Sequence, residues 1–220
     1  AASDVYKRQL PIPLGSEIAG TIEKLGECVS RFNPGDAVYG KIRTGGFAEY
    51  ALARLEDIAL KPNNIDFIQA AAIPLAALTA WQAIFTFAKL TNGQRILITG
   101  ASGGVGSLAV QLAKAKGAYV IGTASSNNED FVRQLGADEF VDYTKHKFAE
   151  IVKDVDVVFD TVGGETYVQA FNTLKPGGYF VTAVEFPTEQ QQQTYGDHLT
   201  RVLCKSNPDD LQAISELVNK

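Results

Sequence analysis

Residues 96–113 carry the densest chemistry in the chain. Ile96-Leu97-Ile98-Thr99 is an apolar run, Gly100-Ala101-Ser102-Gly103-Gly104-Val105-Gly106 is a turn crowded with small residues, and Ser107 to Ala113 has helical periodicity. A strand that enters such a turn and leaves as a helix can hold a pyrophosphate. Small residues let the backbone close on the phosphate oxygens, and the helix N-terminus offers unpaired N–H groups and a positive dipole end. Ala101, Ser102, Gly103, Gly104, Val105 and Gly106 are therefore candidate contacts to a dinucleotide. The strict GxGxxG spacing is not met, because Ala101 stands at the first glycine position, with Gly100 just before it. The context fits: a strand precedes, a helix follows, and a second strand begins after Gly117. The alternative is an ordinary tight strand–helix turn with no cofactor.

The end of the second strand decides which dinucleotide is expected. NAD sites place Asp or Glu about 20 residues beyond the glycines to accept from the ribose 2′-hydroxyl. Here the stretch reads Thr123-Ala124-Ser125-Ser126-Asn127-Asn128, and no carboxylate follows until Glu129. Ser125 and Ser126 would tolerate a 2′-phosphate and can donate to it, so NADP is expected over NAD. No Arg or Lys lies in that loop, and Tyr143 or Lys145 would have to reach in from the next one. Both serines also suit simple turn and N-cap duty ahead of a helix, and the two roles are compatible.

These residues need a sheet to hold them. From Gln94 the sequence alternates strand and helix: strands at 95–99, 119–123, 140–142, 155–160, 179–184 and 199–205, and helices at 105–116, 128–135, 165–174 and 208–219. Apolar strands alternating with helices predict a six-stranded, doubly wound parallel sheet buried on both faces. Glu189 to Gln193 reads as a polar loop. Upstream, residues 17–60 alternate short β-rich runs with turns, including Asn33-Pro34-Gly35-Asp36 before Ala37-Val38-Tyr39, and Gly45-Gly46 before an expected strand over 47–52. Ile65 to Ala88 reads as helix, broken at Pro74.

Composition narrows the function classes. The chain has 220 residues, is 45% hydrophobic, and has a net charge of −5 with no Lys/Arg block. Nucleic acid and anionic membrane are thus poor partners, and no apolar run approaches the roughly 20 residues that span a bilayer. Cys28 and Cys204 form no metal-like spacing, and a reducing cytoplasm is the expected location. There is no Met, and Asp4 to Gln9 is what GAT GTG TAT AAG AGA CAG would encode, the end of a common sequencing-library transposon. Residues 1–9 are read as adapter-derived, and the natural ends are expected to lie outside this chain.

With these motifs in view, the chain resembles the zinc-independent quinone oxidoreductases of the medium-chain dehydrogenase/reductase superfamily. The signposts are Leu14-Gly15-Ser16-Glu17-Ile18-Ala19-Gly20, Pro34 to Val38, Gly45 to Tyr50, Leu78-Thr79-Ala80-Trp81, the glycine turn, Leu135 to Asp138, and Phe159-Asp160-Thr161-Val162-Gly163-Gly164. The resemblance implies a partial GroES-like domain over 10–66 and a Rossmann dinucleotide domain over 67–220. It also implies that the GroES-like domain is split around the other, and that homodimers form.

Zinc members place His in a Gly-His-Glu motif, where this chain has Ser16 between Gly15 and Glu17. A hydroxyl is a poor zinc ligand. No Cys stands near Pro74 to Thr79, and His146 and His198 are isolated, so metal-free chemistry is expected. Without a Lewis acid an activated acceptor is the easier substrate: a quinone or an α,β-unsaturated carbonyl that takes hydride from NADPH. Enoyl-thioester or alcohol reduction within the same superfamily, or NADPH binding without turnover, are the rivals. The resemblance places Thr79, Val162 and Val184 along the cofactor cleft. Self-bonding within a helix explains Thr79 equally, and core packing explains the two valines. Asp160 reads as a strand-end cap of the following turn, and no proton donor is assigned.

Overall fold

The computed structural model describes residue 11 and residues 13–220. Residues 1–9, read above as adapter-derived, lie outside the described residues. The chain runs β1 (Glu17–Thr21), β2 (Ala37–Lys41), β3 (Ile58–Leu60), α1 (Phe67–Ala71), α2 (Pro74–Trp81), β4 (Arg95–Ile98), α3 (Gly104–Ala115) and β5 (Tyr119–Ala124). It continues with α4 (Glu129–Gln134), β6 (Glu139–Asp142), α5 (Phe148–Ile151), β7 (Val155–Asp160), α6 (Gly164–Ala170), β8 (Leu174–Thr182), α7 (Glu189–Tyr195), β9 (Leu199–Arg201) and α8 (Pro208–Val218). It divides into two compact units, one reaching to Leu75 and rejoined by Ser206–Lys220, the other Ala76–Lys205.

In the first unit β1, β2 and β3 form an antiparallel sheet in that order. The turn before β2 closes as its residue types predict: Asn33 and Asp36 exchange hydrogen bonds and Gly35 takes a φ of 94°. Phe32, Val38 and Ile58 form the core, with Ile18, Ile22, Leu25 and Ala53 against them. α8 belongs here and not to the dinucleotide domain, which corrects the 67–220 boundary. Tyr39 explains why: its buried hydroxyl donates to the Leu211 carbonyl at 2.7 Å, and Ser215 Oγ lies 3.0 Å from that hydroxyl and 2.9 Å from the Leu60 carbonyl. Burial pushes the Tyr39 phenol up to about 12, against the opposing hydrogen bond from Ser215. The strand expected over 47–52 does not form. Gly46 and Phe47 donate to Gly15 and Leu14, but no ladder continues past them among the described residues.

In the second unit six parallel strands lie in the order β6-β5-β4-β7-β8-β9. The sequence direction reverses between β4 and β7, which makes that junction the crevice where open α/β sheets bind ligands. Consecutive residues Ile96, Leu97 and Ile98, and likewise Val157, Val158 and Phe159, are fully or almost fully buried. Neighbouring residues on a strand face opposite sides, so both faces of the sheet are covered. Gly122 leaves room for Ala101 and Val132, whose side chains a Cβ there would meet at 2.9 and 2.8 Å. Phe171 stacks on Phe180 at 4.1 Å between ring centroids, with Tyr167 and Tyr195 packed around the pair.

Two expectations are corrected in this unit. The polar stretch 189–193 is helix α7, because Thr188 and Gln191 form a reciprocal capping box that turns a glutamine run into a helix start. β9 stops at Arg201, short of the expected 205. Just beyond it, the Gln82 side-chain amide donates to the Lys205 carbonyl at 2.8 Å and accepts the Lys205 N–H at 3.1 Å, so entry and exit of this unit are tied side by side.

Candidate dinucleotide site

β4 delivers the chain to the crest of the sheet at Thr99. Gly100 then turns at a φ of 65°, in the left-handed region, and a Cβ there would meet Thr161 Oγ1 at 2.7 Å and Val162 Cγ2 at 2.9 Å. So Gly100, not the position of Ala101, does the work of the first fingerprint glycine. Ala101 is buried, with its N–H on the Thr123 carbonyl, which pins the turn to β5. Gly106 is required by packing: a Cβ would lie 2.1 Å from the Gly100 carbonyl oxygen.

Gly103 is the N-cap of α3 and supplies no capping side chain, while its own N–H goes to Gly100. The first intrahelical N–H donor is Ser107, on the Gly103 carbonyl. The amides of Gly104, Val105 and Gly106 therefore sit at an open helix N-terminus. Gly103 and Gly104 are exposed, and nothing lies within 4 Å of a Cβ built on Gly104. Ser102 stands half-buried beside them. A glycine cradle with no room for side chains beneath it and open space above fits a pyrophosphate.

At the end of β5, Ser125 Oγ accepts from Asn128 Nδ2 at 2.9 Å, which leaves the serine's own proton to give. Ser126 instead donates to Asp142, the last residue of β6. The sheet register pairs Asp142 with Ala124, so a carboxylate does stand beside this loop, supplied by the neighbouring strand. It also accepts from Thr144 N at 2.9 Å and Thr144 Oγ1 at 2.7 Å, with Lys145 Nζ 3.5 Å away. Those hydrogen bonds, Ser126 first and Thr144 next, hold the Asp142 carboxyl well below the usual range. Tyr143 is 57% exposed and its N–H reaches the Ala124 carbonyl, which sets its backbone beside the same loop.

On the other side of the switch point, Val162 and Val184 are 49% and 43% exposed at the ends of β7 and β8. Core packing does not account for them. Between them Asp160 is fully buried and accepts from Thr99 Oγ1 at 2.8 Å, Thr182 Oγ1 at 2.9 Å and the N–H groups of Val162 and Gly163 at 3.2 Å. The turn-capping role read from sequence is there, but the two threonines, one just after β4 and one ending β8, were not foreseen. Glu185, also missed, accepts the Gly164 N–H at 2.6 Å at the start of α6. Thr79 lies in α2 at 8% exposure, between the fully buried Leu78 and Ala80.

Among the described residues no group of three His, Cys, Asp or Glu side chains could hold a metal ion. Ser16 lies next to Glu17, whose carboxylate accepts the Leu75 N–H at 2.8 Å.

Residues 2–63 match the alcohol dehydrogenase GroES-like domain family and residues 104–201 match the zinc-binding dehydrogenase family. Similar proteins include the mitochondrial NAD(P)H oxidoreductase RTN4IP1 of Danio rerio, 39% identical over 80% of this chain and 49% of its own length. A probable zinc-binding oxidoreductase, mitochondrial, of Arthroderma benhamiae is 35% identical over 98% of this chain and 70% of its own. The chloroplastic NADPH-dependent alkenal/one oxidoreductase of Arabidopsis thaliana is 39% identical over 78% and 47%. The chain thus spans about half the length of the first curated relatives it matches. Among solved structures, the quinone oxidoreductase of Coxiella burnetii superposes with a TM-score of 0.86 at 34% identity, over 96% of this chain and 69% of its own. The Escherichia coli quinone oxidoreductase complexed with NADPH gives 0.83 at 28% identity, over 96% and 70%. With a Rossmann sheet, a GroES-like unit and these matches, the chain belongs to the medium-chain dehydrogenase/reductase superfamily, with quinone oxidoreductases as structural neighbours.

Proposed function

We propose that the chain is the cofactor-binding part of an NADPH-dependent oxidoreductase that delivers hydride to a quinone or an α,β-unsaturated carbonyl without zinc. The observation that carries this reading is the open N-terminus of α3, held against β4 by the contact of Gly106 with the Gly100 carbonyl. The amides of Gly104, Val105 and Gly106 take the pyrophosphate, and the dipole of α3 favours its charge. Ser125 donates to the 2′-phosphate and Tyr143 flanks it. Ser126 serves differently: its proton is engaged by Asp142, so it shapes the loop and offers only lone pairs outward.

The bound cofactor would supply the hydride; the protein's own residues bind and orient. Val162 and Val184 offer an apolar, half-exposed surface at the nicotinamide half of the crest, which suits a flat ring and keeps water away from it. The zinc-free part rests on Ser16 at the position where zinc members carry His, and on Glu17 being engaged by the Leu75 amide. The substrate class is supported by relatives named for alkenal/one reduction and neighbours named as quinone oxidoreductases. A homodimer in a reducing cytoplasm completes the proposal, checked by light scattering and by fractionation.

Fluorescence titration is expected to give tighter binding of NADPH than of NADH; equal or reversed affinities overturn the role of Ser125. Turnover of a quinone and enone panel by the full-length protein is expected to survive a strong chelator. Loss of activity that zinc restores overturns the metal-free reading.

A further inference from the structure

Asp160 holds a feature that turn capping does not require. Its neighbours all turn donors toward it. Thr182 Oγ1 accepts from Val184 N and Glu185 N, both at 3.1 Å, so its proton points to Asp160 Oδ2. Thr99 Oγ1 accepts from Thr161 N at 3.1 Å, so its proton points to Asp160 Oδ1. Backbone N–H groups can only donate, and Val162 and Gly163 donate to the same Oδ1. Every hydrogen bond that the structure gives Asp160 is donated to it, an arrangement that suits an ionised carboxylate.

That charge has no counter-ion. Asp160 is 0% exposed, and among the described residues no Lys or Arg forms an ion pair with it. The nearest cation in register is Arg201, paired with Thr182 across β8 and β9, but its guanidinium reaches the Val184 carbonyl and stacks over Phe186 at 3.9 Å. The nearby Glu185 carboxylate adds to the negative field. Burial first, and then the negative charges of Asp160 and Glu185, push the Tyr167 phenol up to about 12. A buried ion without a partner is costly, and an opposite charge arriving beside it would offset part of that cost.

The location says which charge. Asp160 ends β7 and its partner Thr99 follows β4, so the carboxylate lies directly under the switch point, on the half of the sheet that takes the second nucleotide of a dinucleotide. We propose that Asp160 is the built-in counter-charge for the oxidised nicotinamide ring, stabilising the cationic form over the neutral reduced form and so favouring hydride release. This rests on the cofactor reading above. When the C4–H bond of the reduced ring breaks, hydride leaves with both electrons and the ring becomes a cation. The acceptor carbon or oxygen gains that hydride and later a proton from water. The two cofactor forms differ in charge at the ring, so a comparison of the two isolates what Asp160 does there. The residue touches no substrate; it acts through its field, under a floor made by Thr99, Thr161 and Val162.

The test is the ratio of dissociation constants for NADP+ and NADPH, measured by calorimetry on this chain and on Asp160→Asn. The variant is expected to weaken NADP+ relative to NADPH by about 10-fold, the scale of a lost charge interaction at an effective dielectric near 20. A purely structural role would weaken both forms equally, and an unchanged ratio overturns the proposal while leaving the cofactor site standing. If the wild-type chain binds neither form, the cofactor reading and this proposal fall together. Should Asp160→Asn not fold, the unaltered chain is titrated with the benzamide analogue of NADP+, which has an uncharged flat ring. Binding several-fold weaker than that of NADP+ supports the counter-charge, and equal binding overturns it.

Discussion

Two strand-end aspartates of the same sheet show how differently one residue type can be used. Asp142 closes β6 and Asp160 closes β7, and each accepts from side-chain hydroxyls and backbone amides. Asp142 has a lysine 3.5 Å away and lies at the edge of the sheet. Asp160 lies in its middle, ties β4, β7 and β8 together, and has no ion-pair partner among the described residues. The first is a local brace for a loop. The second is a charge stored beneath the crest. A carboxylate's role here follows from whether its charge is answered, more than from how many hydrogen bonds it collects.

The largest effect tests the frame that both aspartates serve. Gly106→Val is expected to weaken NADPH binding by at least about 100-fold, because the new side chain must displace the Gly100 carbonyl and with it the α3 amides. Titration with a parallel thermal melt checks it, and near-normal affinity would remove the glycine turn from the site. Next comes a direct contrast. Asp160→Ala leaves two threonine hydroxyls and two amides without their acceptor and is expected to cost about 3 kcal/mol in urea unfolding. Asp142→Ala should shift the midpoint far less, because its donors can turn to water.

A smaller effect separates the two serines. Ser125→Ala is expected to weaken NADPH by about 10-fold and NADH hardly at all, as loss of a charge-assisted hydrogen bond predicts. Ser126→Ala should change the two affinities together and by less; a NADPH-specific loss at Ser126 would show that Asp142 does not hold its proton. The smallest is a pH effect. The folded Asp142 carboxyl titrates below its ordinary value near 4. Its stabilisation is present above that ordinary value and is lost as pH falls through the folded value. Urea midpoints of wild type and Asp142→Asn should therefore differ at pH 7 and converge at low pH.

Much of the inserted sheet is legible in the sequence, because runs such as Ile96-Leu97-Ile98 are buried on both faces and glycines such as Gly117 and Gly136 mark helix ends. The glycine turn is legible for the same reason. Asp142 was missed because its partnership with Ser126 is created by strand register and not by spacing along the chain. The threonines around Asp160 were missed likewise, since Thr99, Asp160 and Thr182 meet only when β4, β7 and β8 line up. α7 was misread because a glutamine run carries no apolar period, and its signal lay in Thr188 and Gln191. α8 was misassigned because nothing local in Pro208 to Val218 tells which sheet it will join.

The Gln82–Lys205 clasp bears on how such a chain assembles. Tyr39 and Leu211 are 172 residues apart, so β2 must wait for the final helix before its buried hydroxyl has an acceptor. An open loop of that length is slow to close. Once the inserted sheet has folded and Gln82 has gripped Lys205, the path between Tyr39 and Leu211 shortens to about 50 residues, easing closure by about 1 kcal/mol. A side-chain amide imitating a β-ladder thereby brings the C-terminal helix within short reach of the N-terminal strands.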